Sequence, residues 1–386
     1  MFKTNPASQA QTILQAKPRF NIGLMRPVVD EEMLEVGLSA LRDERLVMGE
    51  SVYKFEEEFA RYCGTRYAVS TGSGTAALQI AFQSMGIRND DEVLTTPFSF
   101  FATSNAIIHA GAQPRFADVE DFGFNLDPGK ASEKITSKTR VIEPVHLYGQ
   151  PARMDEFLAL SEEHGVSIVE DACQAHGAEY DGKKVGSLGL AGCFSFYSSK
   201  NMTVGGDGGM ITTDDEDLAD AARSFRDCGR ASRYEMSRVG YTSRLNTVNA
   251  AIGRVQLKSL DKWNSIRRGI ANLYRRELEG VEGVTLPPAE GSKETPVYHL
   301  FVIRSQYRDR IMKHLEENGI ESAIHYPIPI HLQAPYLRKY GFSEGSFPVS
   351  EKLSKEVLSL PMHSMLTEQE VRQVSATVRE ANQLTS

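Results

Sequence analysis

From Tyr67 to Thr213 the chain alternates short β-rich runs with helical patterns, and that alternation leaves few folds open to it. The strand candidates are Tyr67-Ala68-Val69, Glu92-Val93-Leu94, Arg115-Phe116-Ala117, Val141-Ile142, Ser167-Ile168-Val169, Cys193-Phe194-Ser195-Phe196 and Met210-Ile211-Thr212. Several are nearly continuous apolar runs, as strands covered on both faces must be. Thr75 to Met85 and Met154 to His164 read as intervening helices. The pattern predicts an α/β domain around a mostly parallel sheet, with ligands at the carboxyl ends of the strands.

On either side the texture differs. Leu34, Leu38 and Leu41 recur at helical spacing. Val248, Ile252, Val255, Leu260, Trp263, Ile266, Ile270 and Leu273 mark a long amphipathic helix leading out of the large domain. Beyond about Gly280, Pro287-Pro288 marks a loop, Val297 to Ile303 a strand and Tyr307 to Asn318 a helix. His325-Tyr326-Pro327-Ile328-Pro329 carries too much proline for a central strand. The expected division is a mobile tail over 1–19, a large domain over 20–255 and a small C-terminal α+β domain over 256–386, linked by the long helix. A chain of 386 residues is long enough for both domains.

Composition narrows the partners. Hydrophobic residues make up 41% and charged residues 24%, as in a soluble globular protein. A net charge of -8 argues against nucleic acid or an anionic membrane as partner. No apolar run is long enough to span a bilayer, and residues 1–19 lack the apolar block of a signal peptide. Cys63, Cys173, Cys193 and Cys228 show neither metal-ligand nor disulfide spacing. They read as small buried residues of a reducing cytoplasm, and no metal is expected.

Chemistry concentrates near Lys200. It follows the apolar run Cys193 to Phe196 and precedes Gly205-Gly206-Asp207-Gly208-Gly209. A lysine so placed can be desolvated and made nucleophilic toward an aldehyde. Upstream, Val169-Glu170-Asp171-Ala172-Cys173-Gln174 sets an acid at the mouth of a short strand. A lysine for an aldehyde and a carboxylate for a ring nitrogen are what pyridoxal phosphate requires. Taken singly, each is equally a surface charge or a helix N-cap.

Other segments add to the constellation. Thr71-Gly72-Ser73-Gly74-Thr75-Ala76 is a glycine-rich turn opening a helix after a strand, where backbone N–H groups bind phosphate. Ser195 offers a second donor. In Pro97-Phe98-Ser99-Phe100-Phe101 an aromatic ring can stack on a pyridine or be a core aromatic under a loop, and the three rings cannot all point inward. Gln174 can reach the ring hydroxyl, while His176 is as well explained by structure. The glycines fit neither the dinucleotide fingerprint nor the nucleotide phosphate loop. A regulator that merely holds the cofactor would keep the same residues.

The chain resembles the DegT/StrS sugar aminotransferases, fold-type I enzymes that use pyridoxal phosphate, from about Phe20 to Thr377. The resemblance rests on Ser73 to Leu78, Val145-His146-Leu147-Tyr148-Gly149-Gln150, Glu170 to Ala178, Ser195-Phe196 through Lys200-Asn201, Gly206-Asp207-Gly208-Gly209, Ala250-Ala251-Ile252-Gly253, His325-Tyr326-Pro327 and Leu358-Ser359-Leu360-Pro361. It implies a seven-stranded sheet and a cytoplasmic homodimer with sites at the subunit interface. It also implies transfer of an amino group from glutamate to a keto sugar on a nucleotide, in amino-sugar and polysaccharide biosynthesis. Carried over by position, Lys200 forms the imine and then moves the proton, Asp171 pairs with the ring nitrogen, Gln174 contacts the ring hydroxyl and Phe100 stacks. Gly74, Thr75, Ala76 and Ser195 hold the phosphate. Apart from the resemblance, His325 reads either as a sugar-side contact or as a loop histidine packed against Tyr326. Two positions depart from the family pattern. Thr242 stands where an asparagine usually reaches the partner subunit's phosphate, and Cys228 replaces a frequent histidine. Enzymes acting on cyclitol ketones or forming aminobenzoates share the cofactor residues and stay open as alternatives, as does the non-enzymatic regulator.

Overall fold

The computed structural model describes residues 20–383, so the expected tail over 1–19 lies outside the described residues. Two helices, α1 (Glu31–Asp43) and α2 (Glu50–Cys63), precede the sheet. Its strands are β1 (Tyr67–Thr71), β2 (Glu92–Thr95), β3 (Gln113–Phe116), β4 (Thr139–Ile142), β5 (Ser167–Asp171), β6 (Ala191–Ser195) and β7 (Gly209–Thr213). They form one seven-stranded sheet in the order β1-β7-β6-β5-β4-β2-β3. Only β7 runs against its neighbours in it. Each of the seven predicted runs is a strand, with ends displaced by a residue or two. The central ones are apolar because helices cover both faces. The α3 helix (Gly74–Ser84) and α4 (Ala102–His109) pack on one face through Leu78, Ile80, Ala106 and Ile107, and α2 covers the other through Phe55 and Phe59. The predicted helix at 154 is α5 (Met154–His164), and α6 (Glu216–Arg226) follows β7.

Asn246 caps the long helix α7 (Thr247–Leu278), its side chain accepting from Asn249 N at 2.9 Å. Beyond it, β8 (Phe301–Arg304), α8 (Arg308–Glu317), α9 (Ala334–Tyr340), β9 (Val357–Leu360) and α10 (Glu368–Gln383) build a second layer. Its core, including Ile303, Leu315, Leu358 and Val374, packs on the distal half of α7 at Ile270 and Tyr274.

One expectation needs correction. The strand expected from Val297 to Ile303 pairs only from Phe301. Residues 297–300 are drawn elsewhere: Val297 N donates to Gly149 O at 2.9 Å and Leu300 N to Tyr148 O at 3.3 Å, with Tyr298 at φ +42°. The helical spacing of Leu34, Leu38 and Leu41 is borne out by α1, on which they face outward, exposed by 52%, 59% and 55%. Met33, Gly37 and Ala40 are buried instead, because small residues let α1 lie close against Val248 and Ile252 of α7. Among the described residues, no helix is long and apolar enough to cross a membrane.

Candidate active site

At the carboxyl ends of β1, β5 and β6 the sheet opens into a cavity of about 490 Å3, a size typical of small-molecule sites. Lys200, Asp171, Ser195, Gly74, Thr75 and Phe100 all line it, with Gln174 and His325. The segments that bear them lie far apart in the chain.

Lys200 sits in the turn after β6, its N–H bonded to Tyr197 O at 2.8 Å. Its amine has no ion pair among the described residues. Burial lowers its pKa below the usual lysine value, while Cys173 and Asp171 pull the other way. A less basic amine is more often neutral, which nucleophilic attack needs.

Asp171 ends β5 and is 4% exposed. Thr103 Oγ1 donates to its Oδ2 at 2.8 Å, and Cys173 N to its Oδ1 at 3.2 Å. Strand alternation sends the adjacent Glu170 to the opposite face. There Glu170 accepts from Gly186 N at 2.7 Å and from Leu188 N and Gly189 N at 2.8 Å, and pairs with His146 at 3.0 Å. Glu170 is a structural acid; Asp171 is the one that faces the cavity.

Of the residues expected at the phosphate, Gly74, Thr75 and Ser195 line the cavity and Ala76 does not. Ser73 caps α3, its Oγ accepting from Ala76 N at 3.2 Å. That engages the Ala76 N–H, and Ala76 is not part of the cavity lining. Gly74 and Thr75 remain at the open helix end, with no acidic residue in the first turn to repel an anion. At Gly74 a Cβ would stand 2.7 Å from Ser195 Cβ and 2.8 Å from Cys173 Sγ, so only glycine leaves the cradle room to close.

Of the three aromatics, Phe98 is fully buried and Phe101 packs edge-on against Tyr336 at 5.6 Å. Phe100 alone reaches the cavity, 57% exposed and 6.1 Å from the Tyr326 ring. The Gln174 side chain accepts from Tyr148 N at 2.8 Å and donates to Tyr326 Oη at 3.1 Å. His325 lies edge-on to Tyr326 at 5.7 Å, with Nδ1 2.9 Å from Ser359 Oγ. Burial, then the Lys200 charge, pushes its pKa down to about 4.

Two residues fall outside. His176 is buried between Phe194 and Phe196, at 5.4 and 5.7 Å, with both ring nitrogens unpartnered. Thr242 is exposed, its Oγ1 3.3 Å from Cys228 Sγ, and does not line this chain's cavity. Sequence reasoning missed Thr103, Cys173, His299 and Tyr326 as lining residues. Cys173 and Tyr326 lie inside motifs singled out above, Thr103 follows the aromatic run, and His299 carried no local signal.

The donor set fits pyridoxal phosphate. It offers an open helix end for the phosphate, a ring wall, a hydrogen-bonded carboxylate and a lysine without counter-ion on one cavity. Such a fold and site define a fold-type I enzyme using pyridoxal phosphate. Residues 27–379 match the DegT/DnrJ/EryC1/StrS aminotransferase family, and the chain belongs to it. It is 41% identical over 350 residues to a pleiotropic regulatory protein of Geobacillus stearothermophilus, covering 90% of this chain and 94% of that one. It is 40% identical over 336 residues to a dTDP-3-amino-3,4,6-trideoxy-alpha-D-glucose transaminase of Streptomyces venezuelae, covering 87% and 88%. A crystal structure of S. venezuelae DesV in complex with a ketimine intermediate is similar at TM-score 0.89 and 39% identity, covering 91% of this chain and 94% of that one. The protein is an aminotransferase dependent on pyridoxal phosphate.

Proposed function

We propose that this aminotransferase moves an amino group from glutamate to a keto sugar carried on a nucleotide, in a two-stage cycle centred on Lys200. The observation that carries this reading is the convergence of the unpaired Lys200 amine and the Asp171 carboxylate on one cavity. The transaminase among the relatives supports the sugar as acceptor.

Bound pyridoxal phosphate supplies an aldehyde for amines and a ring that withdraws electrons from the adjacent carbon. With the cofactor bound, Lys200 Nζ would hold it through its aldehyde, and the same neutral Nζ, when free, would serve as the general base and acid that moves the donor's α-proton. Asp171, aligned by Thr103 and Cys173, keeps a proton on the ring nitrogen. The Gly74 and Thr75 N–H groups and the Ser195 hydroxyl bind the phosphate. Phe100 covers the ring and excludes water. Gln174, tied to Tyr326, reaches the ring hydroxyl, and His325 contacts the sugar from its loop.

The functional unit in this reading is a cytoplasmic homodimer, its second copy covering the exposed leucine stripe of α1. Thr242 of each protomer serves the other's phosphate. The domain division is 20–255 and 256–386, with α7 as the link.

A yellow absorption band in the purified protein that bleaches on adding glutamate without sugar, and is missing in Lys200→Ala, is the expected result. Product masses after adding nucleotide keto sugars or cyclitol ketones then distinguish the acceptors. Conversion of cyclitols alone would overturn the sugar assignment. The similarity to a pleiotropic regulatory protein favours a second reading, a cofactor-holding regulator. A band that no amino donor bleaches would select it.

A further inference from the structure

Glu143 is a buried acid that the reaction described above does not use. It follows β4 and is 0% exposed, with neither carboxyl oxygen hydrogen-bonded. The Thr95 hydroxyl beside it donates instead to the Glu143 main-chain carbonyl at 2.9 Å. Register places the side chain. Val141 lies opposite Ser167 and Val145 opposite Asp171 in adjacent parallel strands. Glu143, midway, therefore shares a sheet face with Asp171, two positions along. On the next strand Cys193 pairs with Asp171. Asp171 on β5 and Cys193 on β6 share that face with Glu143, Tyr336 on α9 interacts with it electrostatically, and among the described residues no cation offsets its charge.

We propose that Glu143 is a positioning residue acting as an un-ionised carboxylic acid coupled to Asp171, so that the pair holds one negative charge and that charge sits at Asp171. The functional half of this proposal rests on the assignment of Asp171 to the cofactor's ring nitrogen. A carboxylate without donors in an apolar interior is far costlier than the neutral acid, and two neighbouring carboxyls do not both ionise there. Burial, then the Asp171 charge, raises the Glu143 pKa well above the ordinary carboxyl value. Because Asp171 has the two donors and Glu143 has none, the proton belongs on Glu143. Ionisation at alkaline pH would set a second charge beside the ring-nitrogen site. Glu143 thus limits the pH range over which that site keeps a single charge.

Glu143 also destabilises the fold at neutral pH. Its folded pKa lies above the unfolded value of about 4.3, so stability is fullest below that pH and is lost as pH rises toward the folded pKa. The folding equilibrium weakens about tenfold per pH unit in that window. A neutral isostere escapes this loss.

Infrared difference spectra of the purified protein, wild type against Glu143→Gln at neutral pH, are expected to show the carbonyl stretch of a protonated carboxyl that the variant lacks. In Asp171→Asn the same band is expected to titrate away at lower pH, since the neighbouring charge is gone. The melting temperature of Glu143→Gln relative to wild type should rise steadily from acid to mildly alkaline pH. In holoenzyme, an alkaline step in the cofactor absorption should vanish in Glu143→Gln. Absence of the acid band overturns the proposal, as does a band whose titration Asp171→Asn leaves unmoved. Unaltered cofactor absorption in Asp171→Asn would instead refute the ring-nitrogen role of Asp171 and leave the shared charge standing.

Discussion

On the sheet side of the cavity, Gly74, Asp171, Ser195 and Lys200 sit at strand ends or within a turn of them, whereas His299, His325 and Tyr326 arrive from loops far along the chain. Main-chain bonds fix the first group: Asp171 N donates to Pro144 O and Ala172 N to Cys193 O, both at 2.9 Å. Side chains largely hold the second, through Gln174 to Tyr326 and Ser359 to His325. Ladder-held groups keep their geometry when side chains change, and loop-held groups do not. In the proposed reading, this places the cofactor contacts on the constant side and the acceptor contacts on the adjustable one.

Substitutions on the two sides should therefore differ in size and kind. If Lys200 anchors the aldehyde and carries the proton as proposed, Lys200→Ala should slow the half-reaction with glutamate by about 10^4-fold in stopped-flow absorbance. Asp171→Asn keeps the shape but not the charge, and the same measurement should show a loss of about 10^2- to 10^3-fold. Equal losses from His325→Gln would erase the contrast between the two sides. Gly74→Ala drives a methyl into Ser195 and Cys173 and should cost about 1–3 kcal/mol in melting experiments, with weakened cofactor retention.

His176, behind the sheet side, supplies a pH test. Burial pushes its pKa down to about 3. Between that value and about 6.5 the unfolded chain binds a proton that the native imidazole refuses. Stability is thus full above about pH 6.5 and falls toward pH 3, by up to about 1.4 kcal/mol per unit. His176→Phe should flatten that slope in thermal melts at pH 5 against pH 7. The smallest effect belongs to the loop side: Tyr326→Phe removes the bond from Gln174 and should weaken acceptor KM by about tenfold or less, with the glutamate half-reaction nearly unchanged.

The seven strands, the helix at 154, and Lys200 and Asp171 were all legible in the sequence. Apolar period and local turn residues act within a few positions of themselves, so they survive without a fold. Other features were illegible for a common reason. The helical period of the α1 leucines does not say which face is buried, and Met33, Gly37 and Ala40 are the residues that pack inward, toward α7. Residues 297–300 have strand composition but bond to the loop at 148–149.

By itself the amino-acid order settled the alternation of strands and helices, and with it a mostly parallel sheet whose strand ends carry an amine and a carboxylate. Only the tertiary structure decided that Phe100 rather than Phe98 or Phe101 walls the cavity, that the Ala76 N–H belongs to a cap, and that Tyr326 braces Gln174 across 152 positions of chain. It alone set Glu143 beside Asp171. Periodicity is a property of neighbours along the chain, whereas side-chain partnership depends on which distant segments the packed core brings into contact.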